Sequence, residues 1–250
     1  MDTNRQNIGV TFFNMKAYGL ISKLLYTNVP VKWAIAVGKA KDAADFSADV
    51  LRLSPTNPVP SPITSNLPFF AGPFIVHKDF TNVARSVIAA YGNNVAVYVV
   101  QTDVVVDVRY PLTHKPRIGV FNDGGTQAIH TDILDEAGIP TNNYQVLNAS
   151  AFGFLGATSC FTFASSPHFD GGLTAGAQAT SVREFIESGG NFLAQCAAVR
   201  TYENQTNGHF HATAGFADQS HATAFIYPNP DMAFNQFQGV LEDEGGSMQD

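Results

Sequence analysis

This chain of 250 residues contains little charge and very little cysteine. Only 14% of its residues are charged and the net charge is −7, which argues against a surface that follows nucleic-acid phosphates. Two cysteines, Cys160 and Cys196, are too few for a disulfide-built scaffold. No apolar run reaches the length of a membrane-spanning helix, and the polar residues 1–7 contain no signal-peptide core. We therefore expect neither a nucleic-acid partner nor a membrane span.

The content of hydrophobic and aromatic residues is sufficient for a large core. Hydrophobic residues make up 45% of the chain and aromatic residues 12%. Polarity comes from Asn, Thr, Ser and Gln more than from Lys, a balance that favours an extracellular or cell-surface location while leaving the compartment open. The length allows one large domain or two small ones.

A repeated sequence pattern divides the chain into two similar halves. Ile-Gly-Val opens an apolar run at residues 8–10 and again at 118–120, and each run is followed by a helical pattern. The interval from Gly9 to Pro30 equals the interval from Gly119 to Pro140, and a second apolar run follows each proline. Both segments predict a strand–helix–strand unit of a parallel sheet. Either an internal duplication or the general similarity of parallel α/β units explains this repeated pattern.

The repeated pattern extends to a second strand–helix–strand segment in each half. It covers residues 74–100 in the first half and 160–195 in the second. We therefore predict an α/β protein with two tandem flavodoxin-like parallel-sheet units, either separate or joined in one continuous sheet. The first unit is residues 7–112, the second is 116–241 with an aromatic-rich C-terminal segment, and 242–250 form an acidic tail.

Cys196 is the most informative residue of the second unit. It follows the predicted strand 192–195 and precedes a predicted helix, a turn that exposes a side chain to backbone N–H groups that favour a thiolate. The alternative is a small buried residue at a strand end, because unbridged cysteine is often buried. Cys160 begins its own strand, so the two thiols are predicted to be about 13–17 Å apart, too far for a disulfide.

The order of elements from residue 118 to Cys196, with a Phe169-Asp170-Gly171-Gly172 turn, resembles the class I glutamine amidotransferase-like superfamily, which includes DJ-1-like proteins. The resemblance covers roughly residues 116–200. It implies that Cys196 attacks a carbonyl and that the N–H groups of Gly171 or Gly172 and of Ala197 hold the oxyanion. Gln195 and Ala197 stand where the family's elbow usually has glycine.

Such a nucleophile needs a base, which the family supplies downstream of the cysteine. The candidates in this chain are His209, His211 and His221. Asp123 follows the first strand of the unit and is predicted to converge with Gly171 and Cys196 at the carboxyl edge of the sheet, where open α/β sheets bind ligands. The alternative is that Asp123 has only a structural role, as the N-cap of the following helix.

Two functions follow from these residues. One is a cysteine-dependent hydrolase or amidotransferase-like protein acting on an amide or ester carbonyl. The other is a non-catalytic structural or binding module of a secreted or surface-assembled protein with the same fold. We predict no cofactor and no metal site, while a small-molecule or peptide ligand and self-assembly into oligomers stay open.

Overall fold

The structure of the protein is a computed structural model. It describes residues 6, 13–55, 63–123, 125–148, 155–170, 175–211, 213–215, 218–220, 227–239 and 247–249, with the backbone alone at 175, 218–220 and 247–249. Two compact units make up the chain: unit 1 is Met1–Lys115 with Phe225–Glu242, and unit 2 is Pro116–Ala224 with Asp243–Asp250. None of the described helices has the length and apolar character needed to cross a membrane.

The sequence pattern placed residues 116–241 in the second unit, whereas residues 227–239 belong to unit 1 in the structure. Its contacts explain the difference. The Lys41 ammonium lies 4.3 Å from the centre of the Phe237 ring and 5.4 Å from that of Tyr227. The Gly239 N–H donates to the Asp42 carboxylate at 3.1 Å. These contacts join residues nearly two hundred positions apart, which no local pattern indicates.

Among its described residues, unit 1 has two three-stranded sheets and two α-helices with known bounds. Its elements are α1 (Lys16–Tyr26), β1 (Val31–Ala34), β2 (Ala44–Ser54), β3 (Ile63–Phe70), β4 (Phe74–Val76), α2 (Thr81–Tyr91), β5 (Val97–Val100) and β6 (Val108–Leu112). The sheet orders are β4-β1-β6 and β3-β2-β5, and every pairing in them is antiparallel.

The parallel sheet predicted for residues 7–112 is therefore not found among the described strands of unit 1. The helices and the short strands lie near their predicted positions, but β1 pairs antiparallel with β4 and β6. A four-residue apolar run carries no information about the direction of its partner. The first predicted strand falls on residues 10–13, of which 10–12 lie outside the described residues.

Unit 2 contains the parallel sheet that the sequence predicted for it. Its elements are β7 (Ile118–Asn122), α3 (Ala128–Glu136), β8 (Tyr144–Asn148), β9 (Phe163–Ser166), α4 (Ala175–Glu187), β10 (Asn191–Ala194), α5 (Ala197–Glu203), β11 (Asp218–Ser220) and β12 (Ser247–Gln249). The order β10-β9-β7-β8 is parallel throughout, and β11 pairs antiparallel with β12. The mixed α/β class is thus confirmed.

The core of unit 2 lies on one face of this sheet. Ala164 of β9 and Phe121 of β7 contribute to it, and α4 and α5 cover them. The fully buried members of the cluster are Phe121, Leu147, Leu155, Ala164, Ala179, Val182, Phe185, Ala198 and Tyr202. Because side chains alternate along a strand, the neighbours of Ala164 in sequence point to the opposite face.

Candidate functional site

The carboxyl edge of the sheet in unit 2 has a topological switch point. The chain leaves β7 towards β8 on one side and leaves β9 towards β10 on the other, although β7 and β9 are neighbours. Connections that diverge in this way open a crevice outside the strand ends, and open α/β sheets bind ligands there. Asp123 directly follows β7, and Ser165 and Ser166 end β9.

Strand alternation separates the polar side chains at this edge into two clusters. Ser165 and Gln195 point to the face that α3 covers, where both contact His130. Ser166 points to the opposite face, where its hydroxyl donates to Asp123 and lies against Tyr202 of α5. Two adjacent serines therefore serve two separate hydrogen-bond networks.

The first cluster is centred on His130, which is only 7% exposed. Its Nδ1 lies 2.9 Å from Ser165 Oγ and its Nε2 lies 2.7 Å from Gln195 Oε1. An amide oxygen can only accept, so Nε2 carries a proton, and in the neutral ring Nδ1 accepts from the Ser165 hydroxyl. The ring thus joins α3 to the ends of β9 and β10.

The second cluster is centred on Asp123, which is 3% exposed. Burial raises the pKa of this carboxyl, because a charged group loses hydration in the interior. The opposing influences are hydrogen bonds from the Ser166 hydroxyl and from the backbone N–H groups of Asp123 and His168, together with the electrostatic influence of His130, and burial outweighs them. Asp123 is thus a buried group at the switch point, and its role in a ligand pocket stays a prediction.

The raised pKa of Asp123 predicts how stability depends on pH. The folded state keeps this proton to higher pH than the unfolded chain, so the contribution is full below the ordinary value of 3.8 and is lost as pH rises through the folded pKa. Asp123→Asn cannot ionise, so its stability relative to the natural protein should increase with pH over that range and then stay constant. Urea denaturation across acidic pH measures this difference.

Ser166→Ala provides the matched test of the same carboxyl. Without the hydroxyl that lowers the pKa of Asp123, the pH-dependent loss of stability should move to higher pH. If the natural protein and Asp123→Asn instead give parallel curves at every pH, Asp123 does not ionise with a raised pKa in the folded state.

Cys196 occupies a sharp turn between β10 and α5. Its backbone has φ 54° and ψ −135°, a conformation that residues with a side chain rarely adopt. Backbone hydrogen bonds hold both sides of the turn: the Gln195 N–H donates to the Ser166 carbonyl at 3.1 Å, and the Val199 N–H donates to the Cys196 carbonyl at 3.0 Å. The side chain is exposed, which contradicts the interpretation of a buried residue at a strand end.

Neither cysteine forms a disulfide, as the sequence predicted. The strands β9 and β10 are parallel neighbours, with Phe163 opposite Asn191 and Ser166 opposite Ala194. Cys160 precedes this paired region and Cys196 follows it, so the two thiols lie beyond opposite ends of the pair.

An ion pair fixes the chain next to the predicted Gly-Gly turn. Arg200 of α5 donates to Asp170 with a nitrogen–oxygen distance of 2.6 Å. Arg200 lies one helical turn beyond Cys196, so this pair anchors the residue before Gly171 against the helix that Cys196 begins. Gly171 and Gly172 themselves lie outside the described residues. Ala197 is the first residue of α5 and is largely buried.

The predicted bases lie after α5. His209 is exposed, and its N–H donates to the Glu203 carbonyl at the C-terminal end of that helix. Cys196 caps the other end, roughly 10 Å away along a seven-residue helix. His221 lies outside the described residues, so the identity of the base stays a prediction. Within the described ranges, no cluster of three His, Cys, Asp or Glu side chains is placed to hold a metal ion.

Sequence reasoning missed the polar residues that the sheet brings together: His130, Ser165, Ser166, Gln195 and Tyr202. One signal was available, because two serines ending a buried strand are unusual and predict hydrogen-bond partners. Their partners are 35 to 65 residues away in the chain, as His130 shows. A scan against protein-family models and searches of curated proteins and solved structures find no match to this chain.

Proposed function

We propose that unit 2 is a cysteine-dependent hydrolase or amidotransferase-like domain in which Cys196 attacks an amide or ester carbonyl. The observation that carries this proposal is the exposed Cys196 side chain on a strained strand-to-helix turn. Such a backbone costs about 1–3 kcal/mol and persists where a functional site needs it. A nucleophile on this type of turn is accessible at the edge of the sheet.

The strand order supports the resemblance to flavodoxin-like amidotransferases for unit 2. Counted along the unit, the order of β8-β7-β9-β10 is 2-1-3-4, with which a flavodoxin-like sheet begins. We restrict the resemblance to this unit, because the described strands of unit 1 pair antiparallel. Unit 1 then has a different role in the protein.

The proposed reaction uses the thiolate of Cys196. Its sulfur forms a bond to the carbonyl carbon, and the oxyanion that results accepts hydrogen bonds from the N–H of Ala197 and of Gly171 or Gly172. The base, one of His209, His211 and His221, takes the thiol proton of Cys196. When the oxyanion collapses, the bond to the amine or alcohol breaks and that group leaves with this proton. Water, activated by the same base, then attacks the thioester, which releases the carboxylic acid and restores the Cys196 thiol. His130 has a positioning role, because it holds the residue before Cys196 through Gln195 Oε1.

A comparison of the two exposed thiols tests the proposal. Cys160 lies in the same unit and provides a matched control for accessibility. We expect p-nitrophenyl acetate to acetylate Cys196 at least about tenfold faster than Cys160, since only an activated thiol reacts fast near neutral pH. Peptide mass spectrometry measures both rates. A burst of p-nitrophenol should occur in Cys160→Ser and be absent in Cys196→Ser.

Histidine variants then identify the base. Asparagine in place of the one of His209, His211 and His221 that has this role should lower the acetylation rate of Cys196 about 10²–10⁴-fold. His114→Asn serves as the control, because His114 is exposed and lies in unit 1, and it should keep the natural rate. If Cys160 and Cys196 react at equal rates, the nucleophile proposal is wrong and the non-catalytic module is the better account of unit 2.

A further inference from the structure

Unit 1 contains a partly open cavity of about 820 Å³. Its walls come from α1, β2, β4, α2, β5 and the end of β3. The volume lies within the range of about 300–1,000 Å³ that small-molecule sites occupy. Every described residue that lines it belongs to unit 1, so the cavity is independent of the site around Cys196.

The walls are mainly aliphatic and aromatic. One helix face shows how the sequence builds them: Thr81, Ala84, Arg85 and Ile88 follow helical spacing along α2 and all line the cavity. Two groups of rings contribute. Tyr18 packs edge-on against Phe74 at 5.9 Å, and Phe69 packs against Phe46 at 4.9 Å.

Several of these side chains pack on the core of unit 1 but are only partly buried. Ala17, Ile21 and Phe74 contact the buried cluster that contains Leu20 and Leu24. Each of the three also lines the cavity. Apolar surface that a protein leaves uncovered in a partly open cavity is available to an apolar ligand, and its transfer from water favours binding.

Polar groups also line the cavity, and the two that carry a permanent positive charge, Lys78 and Arg85, belong to exposed residues. Lys78 and Arg85 line the cavity, and neither forms an ion pair with another described residue. Asp103, after β5, contributes the one carboxylate among the described lining residues. The Tyr18 hydroxyl has no hydrogen-bond partner in the part of the chain that the structure describes, and burial raises its pKa to about 12, so it stays a donor.

We propose that this cavity binds a single-chain amphiphile with an anionic head group, of the long-chain fatty acid class. The apolar and aromatic walls take the alkyl chain. The guanidinium of Arg85 and the ammonium of Lys78 take the carboxylate, since guanidinium matches a carboxylate with two parallel hydrogen bonds. The Tyr18 hydroxyl offers a further donor inside the cavity.

Titration of the full chain with cis-parinaric acid, whose fluorescence rises in an apolar site, tests the proposal. We expect saturable binding of one molecule per chain and displacement by palmitic acid. Hexadecanol, which has the same chain length without the charge, should compete at least about tenfold less well. The Cys196→Ser variant should bind as the natural protein does, so this result is independent of the activity proposed for unit 2.

Variants locate the head group and the chain. Lys78→Ala with Arg85→Ala should weaken palmitic acid about tenfold or more and leave hexadecanol unchanged. Lys23→Ala is the control, because Lys23 is exposed on α1 and does not line the cavity. Ala17→Trp should reduce the affinity for both molecules by filling the space.

Three results would overturn the proposal. One is fluorescence that rises without saturation, and another is an equal affinity for the alcohol and the acid. The third is an unchanged affinity for palmitic acid in the double variant. Saturable binding of an extended apolar peptide in place of the acid would likewise assign the cavity to a different ligand. Circular dichroism of each variant separates a lost site from a lost fold.

Discussion

Replacing Phe185 by alanine is expected to destabilise unit 2 by about 3–5 kcal/mol. The side chain is 1% exposed and lies in the core that α4 forms against the parallel sheet. Its removal leaves a cavity in a close-packed region, because the surrounding strands and helices can collapse only partly. Hydrogen exchange measured peptide by peptide should locate the loss of protection in β7, β9 and β10.

The packing of the Phe185 ring against Gly190 can be tested with a double variant. A Cβ at Gly190 would lie 2.3 Å from the ring of Phe185, so Gly190→Ala alone should cost about 1–3 kcal/mol through overpacking. In the Phe185→Ala background the ring is absent and the new methyl group has room. The double variant should therefore be less destabilised than the sum of the single variants by about 1–3 kcal/mol.

Gly189 is the matched control for this pair. A Cβ at Gly189 meets nothing within 4 Å, although its φ of 97° makes any side chain strained. Gly189→Ala should thus be destabilising by about 1 kcal/mol and additive with Phe185→Ala. Additivity at Gly190 together with coupling at Gly189 would contradict the packing described for the end of α4.

Replacing His130 by alanine is expected to destabilise unit 2 by about 2–4 kcal/mol. The reason is the buried hydroxyl of Ser165, which is 2% exposed and loses the partner that lies 2.9 Å away. Lost imidazole volume adds to this effect. Urea denaturation followed by far-ultraviolet circular dichroism gives the total, and fluorescence of Trp33, the only tryptophan, follows unit 1 separately.

Two further variants separate the contacts of His130. Gln195→Ala should cost less than about 1 kcal/mol, because Gln195 is exposed and water can replace it at the ring. His130→Ala combined with Ser165→Ala should be less destabilised than the sum by about 1 kcal/mol, since no hydroxyl is then left unpaired. Strict additivity would mean that Ser165 finds another partner and that His130 does not join β9 to α3.

Much of unit 2 could be predicted from its sequence. The interval between Ile118 and Cys196 contains strands and helices in the order that a parallel sheet requires, each marked by its own hydrophobic period. Gly189 ends α4 with a positive φ, a local signal that needs no tertiary contact. The position of Cys196 between β10 and α5 followed from these elements.

The network at the switch point could not be predicted in the same way. His130 meets Ser165 and Gln195 only because β7, β9 and β10 assemble side by side. Alternation along β9 then decides that Ser165 points to one face and Ser166 to the other. The residues are far apart in the chain, so their proximity depends on strand pairing that a local period does not specify.

Unit 1 shows the same division between local and long-range information. The helix α1 and the strand β1 lie where the pattern predicted them, yet the direction of pairing was wrong for the described strands. The cavity between these elements had no sequence signature, because its walls combine residues from six separate helices and strands.

The sequence by itself determined the α/β class, the parallel sheet of unit 2, and a cysteine at a strand-to-helix turn in that unit. Each of these follows from the period of side chains and from turn residues, which act over a few positions. Only the tertiary structure decided the antiparallel sheets of unit 1, the strained φ of Cys196 and the burial of Asp123 and His130. These features depend on which distant segments pack together. The free energy of folding of the whole unit, and not a local sequence pattern, decides that packing.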